Sequence, residues 1–283
     1  MALARCLIFP VAWGPGDRLA CRLSQADNSM NLAVWLVAPL IGLLLSLFAA
    51  GGGLVAVPLL NAGLGMPLKQ AIAASLIIVA FTSFVALFQK NGWRLINWHL
   101  HRFFAIGAML GGFSGASIGI EISEQLQAVL FTILVLIIVW WINSDSMKNL
   151  AQPAEKKTCN CPYALLAGFA SGVITGLLGV GGGFIIVPIL MMLGVTNHQT
   201  AVAHSLLLII SSSLVASARY YEYFSISWQP MLAILALAAV GVWVGGWIAG
   251  KVSSSKLQKG FSLVLCLLAV WMLFRIYVFE SAS

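Results

Sequence analysis

Two glycine triplets carry the chemistry that can be read from this chain. Gly181, Gly182 and Gly183 interrupt a long apolar stretch, and Gly51, Gly52 and Gly53 do the same 130 residues earlier. A proline follows each triplet at the same distance, Pro58 and Pro188. Glycine has no Cβ and enters positive φ freely, so a helix that reaches a triplet can stop there and leave its backbone bare. A helix restarting at Leu54 or Phe184 begins with N–H groups that no carbonyl of its own takes up, and it presents the positive end of its dipole. An anion is the natural partner of such an end. The prolines fit the first turn or so of a restarted helix, where a missing N–H matters little. The alternative is that the triplets only permit a kink or close packing; their duplication, proline included, favours a shared purpose.

Hydroxyls follow each triplet. Ser75 and Thr82 lie seven residues apart, on one helix face, and Ser205 and Ser212 repeat the pair. They can donate to the oxygens of an oxyanion, or they can join helices to one another. His204, where the first half has Ala74, can pair with an anion or carry a proton, or bond locally to a group such as Ser211. Arg219 ends the same segment and either snorkels to the interface or lines the path of an anion. Gln70, Gln199 and Thr200 stand at segment starts as capping residues. All eight acidic residues, Asp17, Asp27, Glu121, Glu124, Asp145, Glu155, Glu222 and Glu280, fall outside the apolar segments. That distribution disfavours a cation substrate and leaves proton coupling mostly to His204.

Other reactive residues point to little. There is no HExxH motif, no pair of acids within an apolar segment and no activated Ser or Cys arrangement, so neither an enzyme nor a cofactor is expected. Cys6, Cys21, Cys159, Cys161 and Cys266 form no disulfide framework. Cys159 with Cys161, and His99 with His101 in a basic loop, lack the further ligands of a metal site, so no metal is expected.

The elements that must position these residues lie in a membrane. Of 283 residues, 61% are hydrophobic and 8% charged, and the mean hydropathy is +0.99. A soluble domain carries about a quarter charged residues, and several stretches here approach the ~20 apolar residues that cross a bilayer. The net charge of +7 is spread over short connections, as the positive-inside bias produces, so nucleic acid is not an expected partner and the lipid bilayer is.

A shift of 130 aligns residues 42–118 with the second half without a gap. Gly42 meets Gly172, Ser75 meets Ser205, Ser83 meets Ser213, Trp98 meets Trp228, and Gly111 and Gly115 meet Gly241 and Gly245. Matches in glycine, proline, serine and tryptophan exceed what shared apolarity produces, so the repeat is real. The predicted organisation is an N-terminal extension over 1–31, a membrane repeat over 32–142, a cytoplasmic linker over 143–162 and a second repeat over 163–279. Residues 1–29 precede Met30, a candidate alternative start. Each repeat reads as a glycine-broken helix pair (32–49 with 54–64; 163–179 with 184–194) followed by three membrane helices (71–89, 98–120, 124–142; 200–218, 228–250, 259–279).

The fold class expected is therefore an all-α polytopic membrane protein. Equivalent connections carry opposite charge: 90–102 is basic and its counterpart 219–228 is not, while 121–124 holds two glutamates and 251–259 three lysines. The halves are accordingly expected to insert upside down relative to each other, with a parallel duplication as the rival. Gly111, Gly115 and Gly119, with Gly241, Gly245 and Ala249, read as close-contact stripes. Trp93, Trp98, Trp140, Trp141 and Trp228 read as an interfacial belt, and Trp243 and Trp247 as core.

The paired stretches "AAGGGLVAVPLL" and "GVGGGFIIVPIL", each leading an apolar repeat, resemble the TauE/SafE sulfite exporter family of bacterial membrane proteins. The resemblance covers roughly 32–279. It implies a multi-pass protein of the bacterial inner membrane that moves sulfite, an organosulfonate or a related small sulfur-containing anion. Ala49 and Ala50 stand where Gly179 and Val180 precede the second triplet, a departure from symmetry between the two breaks. The expectation is a secondary transporter working by alternating access, one half rocking against the other and free to be a homo-oligomer. Its candidate ligands are Gly51–Gly53, Leu54, Ser75, Thr82, Gly181–Gly183, Phe184, His204, Ser205 and Ser212. An anion channel using the same backbone site is the alternative.

Overall fold

The computed structural model describes residues 38–47, 53–63, 65–143, 161–192, 198–224, 228–249, 251, 260 and 262–272. Among them the regular structure is helical throughout. In chain order the helices are α1 (Ala38–Leu47), α2 (Gly53–Gly63), α3 (Leu68–Gln89), α4 (Trp98–Glu121), α5 (Glu124–Asn143), α6 (Cys161–Leu178), α7 (Gly183–Met192), α8 (His198–Tyr221), α9 (Trp228–Ala249) and α10 (Ser262–Met272). Stretches Leu68–Gln89, His101–Glu121, Gln199–Tyr221 and Met231–Ala249 are long and apolar enough to cross a bilayer. At 1.5 Å per residue, α2 and α7 reach only about half as far as a full crossing needs.

Local chemistry sets the boundaries. Pro67 holds extended backbone ahead of α3 (φ −51°, ψ 145°). The connection to α4 turns through Asn91 at φ 47° and a short 3-10 stretch, Gly92–Leu95. Asn97 then caps α4, its Oδ1 accepting from the His99 N–H at 3.1 Å. His99 and His101 consequently lie in the first turn of a helix rather than in a loop, a correction to the sequence reading. Pro58 and Pro188 sit in the second turn of α2 and α7, one turn deeper than expected, where the absent N–H removes an intrahelical bond.

Contacts along the chain fix the helix directions. At one end of the bundle the Asn97 N–H donates to His204 Nε2 at 3.1 Å, which joins the starts of α4 and α8. At the other end Arg219 Nε donates to Ser117 Oγ at 3.2 Å, and Lys69 Nζ donates to the Ile120 carbonyl at 2.7 Å. So α4 and α8 run the same way and α3 runs against both. Helices α3 and α8 correspond under the 130-residue shift, and they are antiparallel neighbours. Lys90, Arg94, Arg102 and Lys251 gather at the first end; Glu121, Glu124 and Glu222, with Lys69 and Arg219, stand at the second.

Two glycine seams hold the bundle together. A Cβ on Gly107, Gly111 or Gly115 of α4 would run into the carbonyls of Leu165, Phe169 and Val173 on α6. A Cβ on Gly241 or Gly245 of α9 would meet the carbonyls of Pro39 and Leu43 on α1. The seams are reciprocal: Gly42 abuts the Ala238 carbonyl, and Gly172 abuts that of Ala108. Except for Gly107 and Leu165, each of these numbers moved by 130 gives its counterpart. The glycine stripes are therefore contact surfaces, as their spacing suggested. On α9 the same packing turns Trp243 and Trp247 outward, 61% and 67% exposed, which corrects their assignment to the core. Trp93, Trp98 and Trp140 are also exposed, while Trp141 and Trp228 are helical in backbone.

Candidate functional site: the broken helix

Helix α6 stops where the Gly179 N–H donates to the Thr175 carbonyl at 2.8 Å. Gly179, Gly181 and Gly182 then take φ of 71°, 76° and 61°, a region a side chain enters only with strain. Helix α7 opens with the Ile186 N–H on the Gly182 carbonyl at 3.1 Å. Residues 179–183 are all buried. The second break is real, non-helical and enclosed, as the sequence predicted. Gly51 and Gly52 lie outside the described residues, as do Ala49 and Ala50.

Gly53, the first residue of α2, leads to this same place. A Cβ there would collide with the Val180 carbonyl and stand 3.4 Å from Val79 Cγ2. A Cβ on Gly181 would be 2.7 Å from Val79 Cγ1 and 3.4 Å from Ile209 Cγ2. The start of one restarted helix thus adjoins the break before the other, with Val79 of α3 wedged between them. The Val180 oxygen lies beside the first residue of α2, the end that favours negative charge. Leu54, next along, is fully buried; Phe184 contributes the second backbone position of α7.

The hydroxyls divide by task. Ser75 Oγ is within 2.7 Å of the Ile72 carbonyl and 3.0 Å of the Gly179 carbonyl, so it ties α3 to the break. Ser205 Oγ donates to Val202 at 2.8 Å, the counterpart of the Ser75–Ile72 bond. Thr82 Oγ1 donates to the Ile78 carbonyl at 2.6 Å, and Ser212 Oγ to Leu208 at 2.9 Å. These two also correspond, and both spend their hydrogens on their own helix. Their remaining lone pairs accept and do not donate.

His204 is not at the break. Its Nε2 accepts from Asn97, and its ring lies 5.8 Å from that of His101 with both Nδ1 atoms buried and unpartnered. The local partner anticipated, Ser211, instead donates to Leu208 at 2.9 Å. Arg219 is held at the far end of α8 by Glu222, by the Tyr223 hydroxyl at 3.2 Å and by the faces of Phe113 and Tyr223. Neither residue joins the glycine cluster in this conformation.

Thr175 and Ser171 were missed in the sequence. Both are buried, and a Cβ on Gly182 would come within 2.6 Å of Thr175 Oγ1. Their spacing, four and eight residues before Gly179, marks a helix face running into the break and was the available signal. An open groove of about 660 Å³ lies elsewhere, lined by Gln89, Lys90, Trp243, Val244, Gly246 and Trp247.

The family model described as "Sulfite exporter TauE/SafE" matches residues 34–272. A "Probable membrane transporter protein" of Xylella fastidiosa (strain Temecula1) is 27% identical over 241 residues, covering 83% of this chain and 92% of its own. The "Probable membrane transporter protein YunE" of Bacillus subtilis is 26% identical over 262 residues, covering 83% and 93%. "Sulfite exporter TauE/SafE family protein 3" of Arabidopsis thaliana is 29% identical over 112 residues, 38% of this chain and 21% of its own. No solved structure matches.

Proposed function

The chain belongs to the Sulfite exporter TauE/SafE family of membrane transporters, and on that footing we propose that it is a secondary transporter of a small oxyanion, sulfite or an organosulfonate, across the bacterial inner membrane by alternating access. The observation that carries the reading is the enclosed, non-helical Gly179–Gly182 segment meeting Gly53. Bare backbone within a membrane protein persists only where protein or a watery cavity surrounds it. Two short helices that begin at one place bring two positive ends toward one ligand. The full burial of 179–183 corresponds to an occluded conformation, from which each side opens in turn.

The arrangement proposed is an inverted repeat. Antiparallel packing of the corresponding helices α3 and α8 supports it, as do the reciprocal seams, since a two-fold axis in the membrane plane generates both. The end bearing Lys90, Arg94, Arg102 and Lys251 is then cytoplasmic, together with the linker at 143–162.

Flux of labelled sulfite and of isethionate into proteoliposomes tests the function, with Gly182→Leu as the diagnostic variant. The variant places a branched side chain at positive φ against Thr175. It should remain monodisperse and helical while flux falls to background, and undiminished flux would remove the break from the mechanism. A conductance that does not saturate with anion concentration would indicate a channel instead.

A further inference from the structure

We propose that Ser83 and Ser213 are ligands of the transported oxyanion, placed in two mirror-related polar layers on either side of an apolar pair, Val79 and Ile209. This rests on the transport reading and names side chains for it. Both hydroxyls are fully buried, and neither has a hydrogen-bond partner among the described residues. They correspond to one another under the 130-residue shift. Six other hydroxyls along these helices behave differently: Ser75, Thr82, Ser205, Ser211, Ser212 and Ser217 each donate to a carbonyl of their own helix. Thr82 and Ser212, their neighbours, also lie 3.3 Å from the carbonyls of Val79 and Ile209, one turn back from Ser83 and Ser213. A buried hydroxyl without a partner is unfavourable and calls for a particular explanation. Finding it twice, at equivalent positions, points to a partner that comes and goes.

Helix register places them. Ser75, Val79 and Ser83 recur every four residues on one face of α3, as do Ser205, Ile209 and Ser213 on α8. That face of α3 meets the breaks, because Ser75 bonds Gly179 and Val79 touches the positions of Gly53 and Gly181. Ile209 reaches Gly181 from the other side, so Val79 and Ile209 are level. The helices are antiparallel, and four residues advance each by about 6 Å. Ser83 therefore comes level with Ser205, and Ser213 level with Ser75 and Gly179. Each layer holds one hydroxyl already engaged and one unengaged, drawn from opposite halves.

This suits an oxyanion. Its oxygens accept several hydrogen bonds, and a bond between a neutral hydroxyl and a charged acceptor is strong without a fixed positive charge to trap the ligand. A cation finds only oxygen lone pairs here and no carboxylate. The apolar pair separates two equivalent positions, one nearer each membrane face.

The test uses the full chain in detergent, with thermal stabilisation by sulfite and by isethionate as readout and tetramethylammonium as the control. Ser83→Ala and Ser213→Ala should each weaken sulfite binding about tenfold or more while leaving the unliganded melting temperature unchanged or higher, because neither removes an existing bond. Ser217→Ala, which does remove one, should leave affinity unaltered. If the wild type is stabilised and both alanine variants bind equally well, the assignment of these serines fails and the transport reading stands. If only one variant is affected, the mirrored layers fail. If neither anion stabilises the wild type, the oxyanion reading and this inference fall together.

Discussion

Ser75 of α3 bonds the carbonyl of Gly179 at 3.0 Å, across a sequence separation of 104 residues. The link stitches a continuous membrane helix of the first half to the non-helical segment of the second. Ser75→Ala removes it and leaves a buried carbonyl less well satisfied, so the folded state should lose about 1–2 kcal/mol. A lower melting temperature in detergent, with the helical content of the folded protein unchanged, checks this.

The seams make a stricter prediction. Gly111→Ala and Gly241→Ala each push a methyl group into a carbonyl of the facing helix, and backbone cannot rotate away as a side chain can. Each should destabilise by about 1–3 kcal/mol, and the two effects should be similar because the contacts correspond. Unfolding of the two single variants under identical conditions measures both expectations.

Sidedness follows from the ends of the bundle. In a chain freed of its five native cysteines, Arg94→Cys and Lys251→Cys should react with a membrane-impermeant maleimide from one side only. Glu121→Cys and Glu222→Cys should react only from the other. Labelling of all four from one side would contradict the helix directions.

Trp243 and Trp247 face outward, the second with the Lys251 ammonium 3.3 Å from its ring centre. Trp243→Leu should change stability by less than about 0.5 kcal/mol. Brominated lipids should quench Trp243 and Trp247 in variants that retain only those tryptophans.

Much of this was legible in the sequence because it was written in residues with few uses. Consecutive glycines followed by proline located the break, since no other residue enters positive φ so freely, and small residues four apart located the seams. What escaped detection depends on partners far along the chain. Trp243 was placed in the core for its glycine neighbours, but those glycines serve α1, and the packing they permit turns the ring away. His204 gave no sign of Asn97, which lies 107 positions earlier and caps another helix. Ser83 and Ser213 look like any hydroxyl until the bonds made by Thr82 and Ser212 are seen. The approach of Gly53 to the second break is likewise a property of packing, invisible in either stretch alone.

The seams also bear on how the machine is divided. Each one fastens a helix of the first half to a helix of the second: α1 to α9, and α6 to α4. Strips of bare backbone pressed together slide poorly, so under the alternating access proposed above the bodies that swing would be hybrids containing pieces of both repeats. The duplicated gene and the moving part are then different units, and a hinge sought at the linker between the copies would be sought in the wrong place.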